Sequence, residues 1–327
     1  MKTLQIGPIS LDVPMLQGPI SGYSDLAMRE LARAYGAPLT FAGLMLDKSA
    51  QYEKVWRKGQ YVLGADEAPL GGQLVGTDPV LVAQAARIME QRGFALVDVN
   101  LACPAPKVLA RGRGGAFLQK SSSASAVVRA VREAVSVPVT IKLRGSYYEK
   151  DEEREHFWRI CESAVSAGVD ALVVHGRSVE QRYRGQADWE VVRQVKERFG
   201  QTTVVGSGDI FTASAAMERL EASGADGVLV ARGAIGNPWI YSELARAFRG
   251  QAPAEEPSVA EVGRVLLAHF ERVLDLYPAH KAVIHFRKFA VGYCRRHPDR
   301  KATLLALMAA KTPEQLRCEV GRRFGQG

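Results

Sequence analysis

The chain has 327 residues, 47% of them hydrophobic and 24% charged, which is ordinary for a soluble globular protein and excludes a mostly disordered or collagen-like one. No apolar run reaches the roughly 18 residues that a membrane helix needs, and the opening Met1-Lys2-Thr3-Leu4-Gln5-Ile6-Gly7-Pro8 lacks a secretory signal's uninterrupted apolar stretch, so the mature chain is expected to start here. A formal charge of +8 suggests an anionic partner, and four scattered cysteines (103, 161, 294, 318) read as reduced thiols of a cytoplasmic protein rather than a disulfide framework.

In chain order, short apolar or β-branched runs ending in Gly or polar residues alternate with longer segments of helical periodicity. Residues 15–20, 39–44, 72–76, 96–103, 137–143, 171–175, 203–206 and 227–231 are eight predicted strands. Helices are predicted at 78–92, 122–135, 151–167, 189–199 and 213–222, the first opening on Asp78 as cap with Pro79 supplying its preset φ. Eight buried strands alternating with helices predict an α/β fold, a (β/α)8 TIM barrel over residues 1–249. The acidic run 149–155 is expected to be a solvated helix start.

Residues 250–258 read as a linker, and Ser258 followed by Glu261 reads as a capping box that opens a helix. Val262, Val265, Leu266, Phe270, Val273, Leu274 and Tyr277 share one face of it. A second helix is predicted over 282–296, and Thr312-Pro313-Glu314-Gln315 opens a third. Residues 259–327 are therefore expected to form a small C-terminal all-helical domain.

In a barrel of this kind the chemistry sits at the C-terminal strand ends. The fourth strand ends Asn100-Leu101-Ala102-Cys103-Pro104, placing an amide and a thiol there. A buried structural cysteine is the commonest fate of a free thiol. An unperturbed thiol, with a pKa of about 8.5, can also serve as general acid or nucleophile at this position. A nucleophile would want a close base, and no His neighbours it in sequence. Lys142 is a charge inside a strand that otherwise reads as buried, so it is expected to point into the mouth at an anion or a ring carbonyl, the alternative being a snorkelling edge lysine. His175-Gly176-Arg177 ends the sixth strand as a second polar cluster.

Ser207-Gly208-Asp209 and Ala231-Arg232-Gly233 end the seventh and eighth strands, the usual phosphate site of barrel enzymes. No G-x-G-x-x-G opens a helix after an early strand, so the phosphate is expected to belong to a mononucleotide cofactor such as FMN. The basic, Gly-rich segment 107–120 reads either as a flexible connection or as a mobile lid that touches substrate phosphate.

Together these segments resemble the tRNA-dihydrouridine synthases, FMN-dependent enzymes that reduce uridine in RNA. The resemblance rests on the Asn-x-x-Cys-Pro-x-x-Lys-Val run from Asn100 to Val108, joined by Pro19-Ile20-Ser21-Gly22-Tyr23-Ser24-Asp25, Gln73, Lys142, His175-Gly176-Arg177, Ser207-Gly208-Asp209, Arg232 and Asn237-Pro238-Trp239. It implies that Pro19, Ile20 and Ser21 line the flavin, that Gln73 and Lys142 hydrogen-bond its rings, and that His175 lies beside it. Ser207, Gly208, Asp209, Ala231 and Arg232 would hold its phosphate. Cys103 would be the catalytic acid, Asn100 and Arg177 would grip the uracil, and Lys107, Arg287 and Lys288 would meet the RNA. NADPH would supply electrons, tRNA would be the substrate, and a monomer is expected.

Four positions depart from the family pattern: Ala102, Ser207 and Ala231 replace Gly, Asn and Gly, and Phe289 follows Arg287-Lys288 where His is common. A free-pyrimidine flavoprotein of the dihydroorotate or dihydropyrimidine dehydrogenase type would share the barrel and the Cys-Pro turn. An RNA-binding protein that has lost catalysis is a third reading.

The charge is unevenly spread. Residues 260–327 carry 13 Lys plus Arg against 6 Asp plus Glu, a net of +7, whereas the preceding residues carry 30 against 29. Arg287, Lys288, Arg295, Arg296, Arg300 and Lys301 concentrate the excess, a pattern expected for docking on a phosphate backbone, or else for a merely solvated basic helix.

Overall fold

The computed structural model describes residues 3–151 and 154–325; Met1 and Lys2 of the opening segment, Glu152 and Glu153 of the acidic run, and Gln326 and Gly327 lie outside the described residues. Two short strands, β1 (Leu4–Ile6) and β2 (Ile9–Leu11), form an antiparallel hairpin. The eight expected strands follow as β3 (Met15–Gln17), β4 (Thr40–Leu46), β5 (Leu70–Val75), β6 (Leu96–Leu101), β7 (Val139–Ser146), β8 (Ala171–Ser178), β9 (Thr203–Ser207) and β10 (Gly227–Val230). They form one parallel sheet in the order β3-β10-β9-β8-β7-β6-β5-β4. Gln17 draws the ends together into a barrel: its N–H donates to the Leu39 carbonyl at 3.0 Å, and its side-chain oxygen accepts from the Phe41 N–H at 3.1 Å.

Strand residues alternate between the barrel interior and the layer of helices. Leu16, Phe41, Leu96, Val173, Val205 and Leu229 pack inside, together with Leu4, Ile6 and Leu11 of the hairpin, which thereby plugs the N-terminal end. Thr203 Oγ1 donates to the Gln5 carbonyl at 2.6 Å and pins the plug to β9. The open end is the C-terminal one.

Between strands, the helix Pro79–Gln91 shows why the periodicity was readable. Asp78 accepts from the N–H groups of Val80 and Leu81, Pro79 takes the first position, and Val82, Ala83, Ala85, Ala86 and Met89 turn inward. Removing such a cap costs about 1 kcal/mol.

The chain then enters four helices, Val259–Leu276, Ala279–Tyr293, Arg300–Ala309 and Pro313–Phe324. Ser258 caps the first by accepting from the Glu261 N–H. Glu261 does not close the box in return: its carboxylate accepts from Trp239 Nε1 at 3.4 Å and so ties this helix to the barrel. The second starts at Ala279, earlier than expected, because Pro278 occupies its cap position. The helix Arg300–Ala309 was not anticipated: it turns Thr303, Leu304 and Leu307 toward the core but leaves Leu305 and Met308 exposed, so its apolar residues fall on both faces and blur the stripe.

One apolar core joins these helices to the barrel, running from Met28, Leu31 and Trp239 to Phe270, Phe286, Phe289 and Tyr293. Phe289 is buried in it, edge-on to Tyr23 at 5.5 Å and against His269 at 4.5 Å, an apolar nest that suits Phe. Backbone meets backbone where the loop after β10 crosses the helix Ala279–Tyr293. A Cβ built on Gly292 would fall inside the Ile235 carbonyl, and one on Gly236, whose φ is +62°, would meet the Phe289 carbonyl.

His269 is buried here with Nδ1 3.0 Å from the Tyr293 hydroxyl, and burial pushes its pKa from 6.5 down to about 4. Between those two values the unfolded chain binds a proton that the folded chain refuses, so stability falls as pH drops through the window. The loss approaches roughly 3 kcal/mol at its acid end. Replacing His269 with Gln, which can still pair with Tyr293, is expected to flatten the melting temperature between pH 6.5 and about 4. Equal acid loss in both proteins would clear His269 as its source.

Candidate active site

Thirteen of the residues expected to contact cofactor or substrate line one cleft at the barrel's open end, which encloses about 900 Å³ of empty space, its open mouth included. Each strand delivers its share. Strand β3 stops at Gln17, and the following Pro19, Ile20 and Ser21 become the rim, since Pro has no N–H to continue a ladder. Gln73 comes from β5, Asn100 and Cys103 from the end of β6, and Lys142 from β7. His175 comes from β8, Ser207, Gly208 and Asp209 from the end of β9, and Ala231 and Arg232 from that of β10.

The turn that carries the thiol is fixed locally. Asn100 Oδ1 accepts from the backbone N–H groups of Ala102 (3.1 Å) and Cys103 (2.9 Å). Gly115 N–H donates to the Cys103 carbonyl at 3.0 Å, and Gly114, at φ +58°, lies so close that a Cβ there would touch the Cys103 Cβ. Within segment 107–120, Gly114, Gly115, Phe117 and Leu118 are buried against this turn, whereas Lys107, residues 110–112, Gln119 and Lys120 are exposed. Burial pushes the Cys103 thiol's pKa upward, so it is protonated at neutral pH and equipped to give a proton.

Two cations face this turn. Lys142 Nζ donates to Ser207 Oγ at 3.0 Å; burial pushes its pKa down while the neighbouring Asp98 carboxylate opposes the shift. Arg144 is buried, donating to the carbonyls of Ala102 (3.0 Å), Ser178 (2.7 Å) and Arg182 (2.8 Å). Burial lowers its pKa to about 10, which leaves it charged at neutral pH. His175 Nδ1 lies 3.2 Å from Ser207 Oγ. Burial first, then Lys142 and the nearby arginines, hold this imidazole neutral. Its Nε2 is buried with no hydrogen-bond partner among the described residues.

At the other end, Gly208 (φ +122°) and Asp209 (φ +53°) bend the chain away from β9 just before the helix Ala213–Ser223. The Asp209 carboxylate accepts from Arg177 Nη2 (2.8 Å), Arg232 Nη2 (3.1 Å) and the Ala187 N–H (2.9 Å). Arg232 is thereby aimed, its guanidinium 4.6 Å from the Tyr183 ring and 5.5 Å from that of Phe211, with donors left for an anion. Ala231 sits at φ −119°, outside the left-handed region that would favour glycine.

Four expected contacts are placed elsewhere. Arg177 is not in the cleft: it is buried beneath it, donating to the carbonyls of Arg184 (3.0 Å) and Gly185 (2.6 Å) and to Asp209, so it shapes the loop after β8 instead of meeting a base. Lys107 is exposed on the short helix Pro106–Leu109, outside the cleft lining. Arg287 donates to the Ala310 carbonyl at 2.9 Å and joins two tail helices. Lys288 donates to the Gly22 carbonyl, lies 4.9 Å from the Tyr23 ring, and is drawn down to about 8 by burial. Arg296 pairs with Glu243 at 3.0 Å and also with Glu256, whereas Arg295, Arg300 and Lys301 stay exposed. Arg144, Tyr183 and Phe211 line the cleft without having been expected there. Only Arg144 left a signal, two residues beyond Lys142 on the same strand face.

A parallel barrel whose open end gathers a protonated thiol, two cations and an aimed arginine is an enzyme's architecture. The family model for dihydrouridine synthase (Dus) matches residues 15–320. A "Probable tRNA-dihydrouridine synthase" of Rickettsia conorii is 33% identical, with 90% of this chain and 88% of that protein covered. A "tRNA-dihydrouridine synthase B" of Xanthomonas axonopodis pv. citri is 32% identical, covering 95% and 92%. The chain belongs to the dihydrouridine synthase family. Among solved structures, a 2-naphthoyl-CoA reductase complex shares the fold at a TM-score of 0.61 and 11% identity, over 76% of this chain and 52% of that one. A histamine dehydrogenase from Rhizobium sp. 4-9 does so at 0.58 and 14%, over 83% and 50%. The chain thus spans about half the length of each of these two structures. No helix among the described residues is long and apolar enough to cross a membrane.

Proposed function

We propose that this protein reduces the carbon 5–carbon 6 double bond of uridines in tRNA to dihydrouridine in the cytoplasm, with FMN bound at the barrel mouth and NADPH as electron donor. The observation that carries the reading is the placement of the Cys103 thiol, whose burial favours its protonated form, in the same cleft as Lys142, His175 and Arg232. The residues suit a flavin mononucleotide: Arg232 has donors free for a phosphate, and the orphaned His175 Nε2 and Gln73 suit a polar ring system. Bound FMN supplies the hydride for carbon 6.

Cys103 Sγ–H gives its proton to carbon 5. Lys142 and Arg144 lower the cost of negative charge appearing near them during transfer. Asn100, whose oxygen is committed to the turn, keeps an amide N–H for the uracil. A stacked uridine hides this bond, so the base must be drawn out of its stack to enter the cleft. Exposed Arg295, Arg300 and Lys301 supply contacts to the RNA backbone, which hold the strand without reading it.

The test is to incubate the purified protein with FMN, NADPH and an unmodified tRNA transcript and to analyse the nucleosides by mass spectrometry. Dihydrouridine is expected, at discrete positions. Reduction of free uracil with none in tRNA would replace this reading with the free-pyrimidine one.

A further inference from the structure

Beneath the cleft floor lies a buried carboxylate that the chemistry above leaves unused. Asp98 is 2% exposed, and the strand register sets Gln73 beside it on β5 and Thr140 beside it on β7. Gln73 Nε2 donates to its Oδ2 at 2.7 Å and Thr140 Oγ1 to its Oδ1 at 2.6 Å. Asn100, two residues further along β6 and on the same face, donates through Nδ2 to Gln73 Oε1 at 2.8 Å. Its oxygen then accepts the two N–H groups of the Cys103 turn.

Every bond in this series points one way. The backbone N–H groups at the thiol turn can only donate, so Asn100 must present its oxygen to them and its NH₂ to Gln73. Gln73 must then accept through its oxygen and donate through its nitrogen, and the series needs a group at its end that accepts. A carboxylate is such a group. Burial pushes the Asp98 carboxyl's pKa upward, and Thr140, Gln73 and Lys142 oppose the shift.

We propose that Asp98 is a positioning residue: as terminal acceptor of this amide relay it dictates which atoms of Gln73 and Asn100 face the cleft and holds the Cys103 turn in place. The proposal rests on the reading above for what the cleft binds. The relay spends one N–H of each amide, and the second N–H of each stays available to a ligand. Without the acceptor, Gln73 is free to turn over, Asn100 follows, and the turn loses its two bonds.

Asp98→Asn and Asp98→Leu separate this role from that of charge. Both remove the same negative charge at similar volume. Only Asn can still accept from Gln73, turning its NH₂ toward the Thr140 hydroxyl. Two measurements are made: the rate of Cys103 alkylation by iodoacetamide, followed on its peptide without RNA or cofactor, and kcat and KM on tRNA with FMN bound. For Asp98→Leu, alkylation is expected to be several-fold faster as the thiol loosens, and kcat to fall about 10–100-fold with KM little changed. Asp98→Asn is expected to stay close to wild type in both.

Wild-type behaviour of both variants overturns the proposal, and so does equal damage in both, which would mean that charge rather than acceptance matters. Should Asp98→Leu fail to fold, Gln73→Leu cuts the relay one link nearer the thiol and is expected to speed alkylation likewise; unchanged alkylation there overturns the proposal too. If the alkylation pattern holds while the wild type makes no dihydrouridine, the relay stands and the assigned reaction falls.

Discussion

Replacing Cys103 with alanine is expected to lower turnover on tRNA by about 10²–10⁴-fold while FMN stays bound and NADPH is still oxidised. The substitution removes only the proton donor. The contacts that shape the turn run through the Cys103 backbone, from Asn100 to its N–H and from Gly115 to its carbonyl, and alanine keeps both. Because burial raises the thiol's pKa, wild-type activity should persist to alkaline pH rather than fading near the ordinary thiol value. Cys103→Ser, whose hydroxyl is a far weaker acid, should lie near the alanine variant. Single-turnover reduction of tRNA by the pre-reduced enzyme makes the measurement, and a wild-type rate for Cys103→Ala would remove the thiol from the reaction.

The second large effect is expected from Lys142→Met, which keeps the length of the stem and deletes the ammonium. Affinity for FMN and kcat on tRNA should both fall, the latter by about 10²–10³-fold, because a preorganised charge in a water-poor site is worth far more than one in solvent. The variant leaves Asp98 without its neighbouring cation, which shifts the carboxyl's pKa further upward and costs stability. Melting curves separate that cost from the functional one. Lys142→Arg should not rescue, since the planar fork cannot occupy the place of a single Nζ 3.0 Å from Ser207 Oγ. FMN titration and tRNA turnover both unchanged would show that Lys142 is no part of the site.

Both effects concern residues that could be found without a structure, and the reason is geometric. A barrel strand buried on both faces reads as an unbroken apolar run, so a Lys or Asn near its end stands out, and all eight runs became strands. The hairpin β1–β2 has three-residue strands, too short for any periodicity to register.

Arg177 shows the opposite failure. It has the residue type and the strand-end position of a substrate contact, but Asp209 and the Gly185 carbonyl, distant in sequence, claim it. The charge count of the tail misled in the same way: it could not tell Lys288 and Arg296, consumed by Gly22 and Glu243, from Arg295, Arg300 and Lys301, which remain outside. Asp98 passed unnoticed because nothing local marks its partners, which are set by register with β5 and β7.

The meeting of Gly236 and Gly292 bears on how this protein can be re-engineered. Catalytic barrels and accessory helices are often treated as parts to be exchanged between relatives. Here the seam has no side chain on either side, and a single methyl group would collide with the opposing carbonyl. A tail transplanted from another protein would seat only if it brought a glycine to position 292 and met one at 236. The unit of exchange is therefore the barrel's last loop together with the helices, not the helices alone.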